Sequence, residues 1–510
     1  MCCYVSWGGA FCSCSKNTHD EEIISLAPTE TKSVSPQLTE MFFSADKNPF
    51  QLIEDQKCEI IGDSVVVCWI RHIIDNKKLV SHIAFNGDSV ALDGIIVESD
   101  VSQCDFRKPV ILTVFSGNDR KEYTVYVHSF TGLPIVSIET ENRKAIVSRD
   151  DYIDATFRLE ENVTTRSSGD VIESKCQIKG RGNSSWIHTS KKSYTLKFPE
   201  KVSLFDDPKD KSWVLIGNSF DKTMLRNYLA YYIGSLSKMD YSPRFHFIDL
   251  ILNGSYWGTY MLGDKLKISK HRVNVGDDGY LLEIDERAEY DGDIYFRTPH
   301  LWQPINIKDP DVEVGSEAYN YIKDFVITAE AVLFSEEFKD PINGWQKFID
   351  IDTFLDWYII HEIAKNYDAL SLYTSCYMNL KRGGKLKMGP IWDFDVTFGN
   401  NTNPQIYPVD GLVYNSTWYC RLLEDPLFRN KAKERFTFFY ERRNMILNMI
   451  NETACYLKYS VEENDNKWST LYEAGFGNYN VWGCYMNEVN YLKNWFLKRM
   501  EWLNNYFQQQ

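Results

Sequence analysis

"KGRGNSSWIHTSKKSYTLKF", residues 179–198, runs a glycine-bearing loop into an alternating strand, and how it is read decides what fold surrounds it. Gly180 and Gly182 would let backbone amides approach an anion closely, Lys179 and Arg181 add positive charge, and Ser184 and Ser185 add donors. These are materials for holding phosphate. Yet the G-x-x-x-x-G-K pattern is absent, and G-x-G-x-x-G is matched only through its first two glycines. A tight turn between two strands accounts for the loop equally well. In the strand, Tyr194, Leu196 and Phe198 face one way, and Ser193, Thr195 and Lys197 the other. Lys192 and Lys197 either reach a phosphate or lie on a solvated edge.

Around this stretch the chain has 510 residues, enough for two or three domains. Hydrophobic residues make up 44% and charged ones 25%, the balance of a globular protein with a sizeable core. The formal net charge of −15 excludes general nucleic-acid binding, which requires a basic face. Any phosphate must be met by a local cluster. No apolar run reaches the roughly 18 residues of a membrane span. Aromatic residues reach 15%, which reads as large aromatic-filled cores, with a sugar-stacking surface as the rival.

Four of the twelve cysteines, Cys2, Cys3, Cys12 and Cys14, crowd the first fourteen residues. The start, "MCCYVSWGGAFCSCSKNTHDEE", resembles the cleavage region of bacterial lipoproteins, particularly those of the Bacteroidota, with Cys14 as the acylated residue. Residues 1–24 are therefore read as a leader of an exported, lipid-anchored chain at the bacterial cell surface or periplasm, touching membrane only through Cys14. Export permits disulfides, and the later cysteines show no CxxC metal spacing, so no structural zinc is expected. Residues 25–40, rich in Ser, Thr, Pro and Glu, read as a linker.

From 41 to 130 short apolar runs such as "SVVVCWI", "PVILTVF" and "YTVYVHS" are separated by Asp, Asn and Gly turns, the patterning of a β-sandwich. The final strands resemble the Ig-like spacer modules of Bacteroidota surface lipoproteins. After "TGLP" at 131–134 alternating strands and long helices are expected to 510. Helices are expected at Lys222–Ser237 behind Asp221, at Glu317–Phe334, at Phe354–Ala364 behind Asp352, and over "EVNYLKNWFLKRMEWLNNYF" at the end. The fold class is α+β.

Two further stretches could carry chemistry. In "HEIAKNYDALSLYTSCYMNLKRGGKLKMGPIWDFDVTFGN", residues 361–400, a helix ending near Asn366 leads to a hairpin turning at Gly383-Gly384, with a return strand reaching Trp392. Its register brings Asp393 to the same end as Asp368. Asp393 and Asp395, two apart, would share a face if extended. Converging carboxylates suit a divalent ion beside a base that accepts a hydroxyl proton, although either aspartate could instead cap a turn. In "GYLLEIDE", residues 279–286, Glu283 and Asp285 share a strand face. Glu283 is either the partner of a phosphate-binding lysine or a solvated face residue.

Taken in order, "KGRGNSSW", "KKSYTLKF", "DKTMLRNYLAYYIG", "LNGSYWGTYML", "GYLLEID" and "GPIWDFDVTFGN" resemble the spore-coat protein H (CotH) kinase family over roughly residues 134–440. The resemblance implies an atypical protein-kinase fold that uses ATP with Mg²⁺ or Mn²⁺ to phosphorylate Ser or Thr of secreted or surface proteins. It implies Asp368 as catalytic base and Asp393 as metal ligand, comparable in role to the aspartate of the kinase Asp-Phe-Gly motif; Asp395 is read as a second metal ligand from its spacing to Asp393. Lys179, Arg181, Asn183 and Lys192 would line the nucleotide site, and Glu283 would pair with a phosphate-binding lysine. The chain departs from the family at Gly263-Asp264, where many members have Glu, and at Ser375-Cys376, where some have His-Asn. Two alternatives stand beside the kinase reading: a catalytically inactive surface assembly or binding protein, and a polysaccharide-binding protein in which paired acids and exposed Trp serve sugar chemistry.

Overall fold

In the computed structural model the described residues are 35–49, 51–52, 55–70, 78–129, 131–161, 171–370, 374–413, 418–472, 475, 478 and 480–509. The expected leader with Cys14, and most of the expected linker, lie outside them. The chain divides into two compact units, one comprising Met1–Lys47, Lys57–Cys68 and Lys77–Tyr126, the other Val127–Gln510 with two short earlier segments.

In the first unit, strand Gln37–Phe43 begins inside the stretch read as linker, because Leu38, Met41 and Phe43 are buried. Eight strands hydrogen-bond in the order His82–Asn86, Gln37–Phe43, Gln56–Ile61, Val65–Ile70, Asp119–Ser129, Val110–Ser116, Ser89–Leu92 and Ile95–Ile96. Val66, Cys68, Leu112, Val114 and Tyr123 point into its core, and the Tyr123 hydroxyl accepts from the Leu38 amide at 3.0 Å.

The second unit begins with a closed barrel of seven strands, in spatial order Ile135–Thr140, Ile153–Glu160, Val171–Arg181, Ser193–Val202, Asp210–Ile216, Ser255–Asp264 and Phe245–Leu252. The parallel pairing of Ile135–Thr140 with Phe245–Leu252 closes the ring, and the other neighbours are antiparallel. Alternate residues fill the interior, among them Ile138, Phe157, Ile178, Leu196, Trp213 and Leu250. Closure leaves no edge strand. Strand Ser193–Val202 is therefore not the edge that its lysines allowed. Of Ser193, Thr195 and Lys197 on its polar face only Lys197 is exposed, the other two being buried. Strands thus dominate the run to 264, where alternation with long helices was expected.

A five-stranded sheet follows, ordered Tyr295–Arg297, Pro304–Asp309, Tyr280–Ile284, Cys376–Leu380 and Leu386–Met388. Its central strand Tyr280–Ile284 is buried along its whole length, so Glu283 is not a solvated face residue. Helix Glu317–Leu333 starts at Ser316, whose hydroxyl accepts from the Tyr319 amide at 3.2 Å. Helix Ile351–Ala364 is capped by Asp350 rather than Asp352, through the Thr353 amide at 3.0 Å. That helix is buried almost all round, and helices Arg226–Ser235, Pro426–Glu441 and Tyr485–Gln509 pack on it. It carries two fully buried carboxylates: Asp356 pairs with Arg435 of helix Pro426–Glu441, and Glu362 meets Arg499 of the last helix at 2.9 Å. Among the described residues no helix is long and apolar enough to cross a membrane.

Candidate functional site

The opening loop turns out to be mostly architecture. Gly180 lies within strand Val171–Arg181, its amide bonded to the Ser148 carbonyl at 2.9 Å, so it is not free for an anion. A Cβ there would stand 2.2 Å from the Trp186 ring, which explains the glycine by close packing. Gly182 has φ +94°, the left-handed region that starts the turn into the short helix Ser184–His188. Asn183 accepts from Arg149 at 2.6 Å. Lys192 lies over the Trp186 ring and donates to the Trp186 carbonyl. Lys179 lies 4.9 Å from the Tyr152 ring centre. Asn183 and Lys192 thus brace the loop.

Arg181 is the exception. Its guanidinium stacks over Trp392 at 5.0 Å and its Nη1 is buried without a hydrogen-bond partner. Burial depresses its pKa, and the neighbouring Tyr377, Tyr231 and Asp393 oppose that shift. The loop's arginine is thereby brought to the aspartate segment.

That segment is not the continuation of a strand. The hairpin's return strand ends at Met388, well short of Trp392, and Asp393 has φ +67°. The backbone is instead pinned by buried amides. Asn227 of helix Arg226–Ser235 accepts from the Phe394 amide at 2.7 Å, Asn366 donates to the Asp393 carbonyl at 3.2 Å, and Asn400 donates to the Asp395 carbonyl at 2.7 Å. The Phe394 ring stacks 4.9 Å from buried His361. Main-chain groups are thus satisfied by side chains, and the two carboxylates are left for other work. Asp368 arrives from the other side: helix Ile351–Ala364 ends at Lys365 in the left-handed conformation, and the chain turns through Asn366 into the short helix Tyr367–Leu370.

The carboxylates crowd one another. Burial, then Asp393, raise the Asp368 pKa to about 6. Burial, then Asp393, Asp221 and Asp368, push Asp395 well above the usual carboxylate range. Asp393 is raised by the protein mass around it while Arg181 and Ser375, whose hydroxyl donates at 3.3 Å, pull it down. Its side chain is nonetheless open to solvent. Asp221, expected as a helix cap, bonds the Arg226 amide at 2.7 Å and pairs with the Arg226 guanidinium, which starts the helix at Arg226 rather than Lys222.

Glu283 lies beside this group. Its carboxylate accepts from the Ser375 amide at 3.1 Å, and its lysine partner is Lys308, at 3.6 Å, not Lys192. Burial raises its pKa to about 7, against the pull of Lys308.

One residue was missed. Lys265, just beyond strand Ser255–Asp264, is half-buried with its pKa lowered by burial, then by Arg181, Lys179, Lys267 and Arg272. The departure at Gly263-Asp264 explains its placement: fully buried Asp264 ties Arg244, Arg272 and Tyr241, each at 2.9 Å, and locks the strand end from which Lys265 emerges. The signal was the unassigned pair Lys265 and Lys267 directly after that strand. A group of cations, with Arg181 among them, thus meets a group of carboxylates.

Among the described residues no three His, Cys, Asp or Glu side chains gather closely enough to cage an ion alone. A magnesium-type ion carried on phosphate needs only one or two protein carboxylates, with phosphate and water supplying the other oxygens. The orphaned Arg181 Nη1, a cluster of mutually repelling carboxylates and the nearby Lys265 fit a phosphate-borne divalent ion.

Fold and site together define an α+β protein whose barrel and five-stranded sheet bring basic and acidic groups to one place. The model of the family described as "CotH kinase protein" matches residues 178–503, well over half of the sequence, and the chain belongs to that family. No curated protein matches it. Among solved structures, a Bacteroides thetaiotaomicron protein described as a candidate glycoside hydrolase aligns with 13% identity over 37% of this chain and 54% of its own, at a TM-score of 0.16. This chain therefore spans about half of that protein, and so low a score carries no argument.

Proposed function

We propose that the chain is an atypical protein kinase that transfers the ATP γ-phosphate to Ser or Thr of secreted or surface proteins with Mg²⁺ or Mn²⁺. The observation that carries this is the meeting of Arg181, with its unpartnered buried nitrogen, and the Asp368, Asp393 and Asp395 cluster. Arg181 and Lys265 would hold phosphate oxygens, and Asp393 with Asp395 would hold the divalent ion, which supplies charge neutralisation to the transferred group when bound. Asp368, with its pKa near 6, is matched to accepting the acceptor hydroxyl proton at neutral pH. Glu283 with Lys308 would support this group by fixing Ser375.

In the same proposal residues 41–130 are an Ig-like β-sandwich spacer, 131–510 are the kinase-like domain, and Cys14 anchors an exported chain to a lipid surface. The test is calorimetric titration of the full chain with Mg²⁺-ATP, wild type against Asp393→Ala, followed by phosphate transfer to surface proteins. Metal-dependent binding abolished by the substitution is expected. No binding at millimolar ATP refutes the kinase reading and favours a polysaccharide-binding protein, and binding without transfer marks an inactive surface binding protein.

A further inference from the structure

Two cysteines in the first unit face each other. Strand Gln56–Ile61 carries Cys58, strand Val65–Ile70 carries Cys68, and their antiparallel register makes the two direct partners. Residues so opposed have Cα atoms about 4.5–5.5 Å apart, inside the roughly 4.4–6.8 Å over which a disulfide spans. Cys68 is fully buried and Cys58 half-buried, and as direct cross-strand partners their side chains lie on the same face of the sheet.

The other strand cysteines lack this arrangement. Cys104 opposes Leu79, Cys176 opposes Ala155 and Cys376 opposes Ile284. The 58–68 pair is thus set apart by register, not by cysteine content.

We propose that Cys58 and Cys68 form a cross-strand structural disulfide, made when the folded hairpin meets an oxidising disulfide donor. The more accessible Cys58 attacks, as thiolate, one sulfur of the donor disulfide and releases a donor thiol. Cys68 then displaces the second donor thiol from the mixed disulfide, leaving the Cys58–Cys68 bond. The protein loses two electrons and two protons, which the donor carries away as two thiols. Burial, and then Cys68 itself, hold the Cys58 pKa well above the ordinary thiol value, so exchange is slow in both directions. That behaviour suits a bond made once rather than a catalytic redox pair. The proposal is independent of the kinase reading, and the state of this pair in cells reports whether the chain resides in an oxidising compartment.

The test uses the full chain, reduced and then incubated folded with oxidised glutathione, followed by alkylation and peptide mapping. The exposed Cys455 and Cys484 serve as controls that oxidation occurred. A peptide pair linked through Cys58 and Cys68 is expected, together with a higher thermal midpoint than the reduced chain, a difference that Cys58→Ser removes. Recovery of both as alkylated thiols while the controls are oxidised overturns the proposal, as does linkage of Cys58 to any other cysteine. Mapping the wild-type chain decides between these outcomes even if a cysteine variant fails to fold.

Discussion

Replacing Asp368 by Asn should stabilise the protein at neutral pH while removing its activity. The carboxyl is moved from 3.8 to about 6 by burial and by the neighbouring Asp393, which corresponds to about 3 kcal/mol at about 1.4 kcal/mol per pH unit. The side chain is only half-buried, so solvent screening reduces this to about 1–2 kcal/mol. The folded state holds this proton more tightly than the unfolded chain does. The contribution is therefore fully present below the unfolded pKa, near 4, and is lost as pH rises through about 6. Asp368→Asn cannot ionise and escapes that loss. Its thermal midpoint should exceed that of wild type by about 2–3 °C at pH 7.5 and match it near pH 4, while phosphate transfer falls about 10²- to 10⁴-fold. Because Asp393 is one cause of the strain, the gain should shrink in an Asp393→Asn background. Scanning fluorimetry at both pH values and a transfer assay test this. A variant less stable than wild type at pH 7.5, or a gain that ignores pH, would refute the charge-strain argument, and preserved transfer would refute the base assignment.

Three other substitutions probe the site and its supports. Lys265→Ala should weaken Mg²⁺-ATP binding about tenfold by calorimetry, roughly 1.4 kcal/mol, without lowering the thermal midpoint, because its neighbours Arg181, Lys179, Lys267 and Arg272 all repel it. Gly180→Ala places a Cβ 2.2 Å from the Trp186 ring and should cost about 1–3 kcal/mol in urea unfolding while displacing Arg181 and weakening nucleotide binding. Arg499→Ala should cost about 3–5 kcal/mol in the same assay, because it leaves the buried Glu362 carboxylate without its guanidinium and releases the Val409 and Gly411 carbonyls, each bonded at 2.6 Å. An unchanged midpoint would show that the last helix is held by its apolar face alone.

What the sequence revealed follows from how local each determinant is. Helix Glu317–Leu333 was legible almost to the residue because its apolar stripe has a 3.6-residue period. Helix Ile351–Ala364, buried on nearly every side, offers no such stripe, so its start was placed behind Asp352 when Asp350 is the cap. Barrel closure was invisible for a different reason: the parallel pairing of Ile135–Thr140 with Phe245–Leu252 joins segments over a hundred residues apart, and neither pattern encodes its partner. The site divides along the same line. Asp368 and Asp393 could be set at one end because a short hairpin, with Met378 opposite Met388, returns the chain toward that end.

Their geometry was not legible, because it depends on a left-handed residue at Asp393 and on Asn227, Asn366 and Asn400, which bond its backbone from distant elements. Lys265 reaches Arg181 only through the order of the barrel strands, and Glu283 meets Lys308 rather than Lys192 because its neighbouring strand is Pro304–Asp309. A motif therefore identifies which groups are available for phosphate chemistry, while long-range strand order selects which of them meet. On that argument Arg181 and Lys265, rather than Lys192, are the cations whose loss should be felt at the nucleotide.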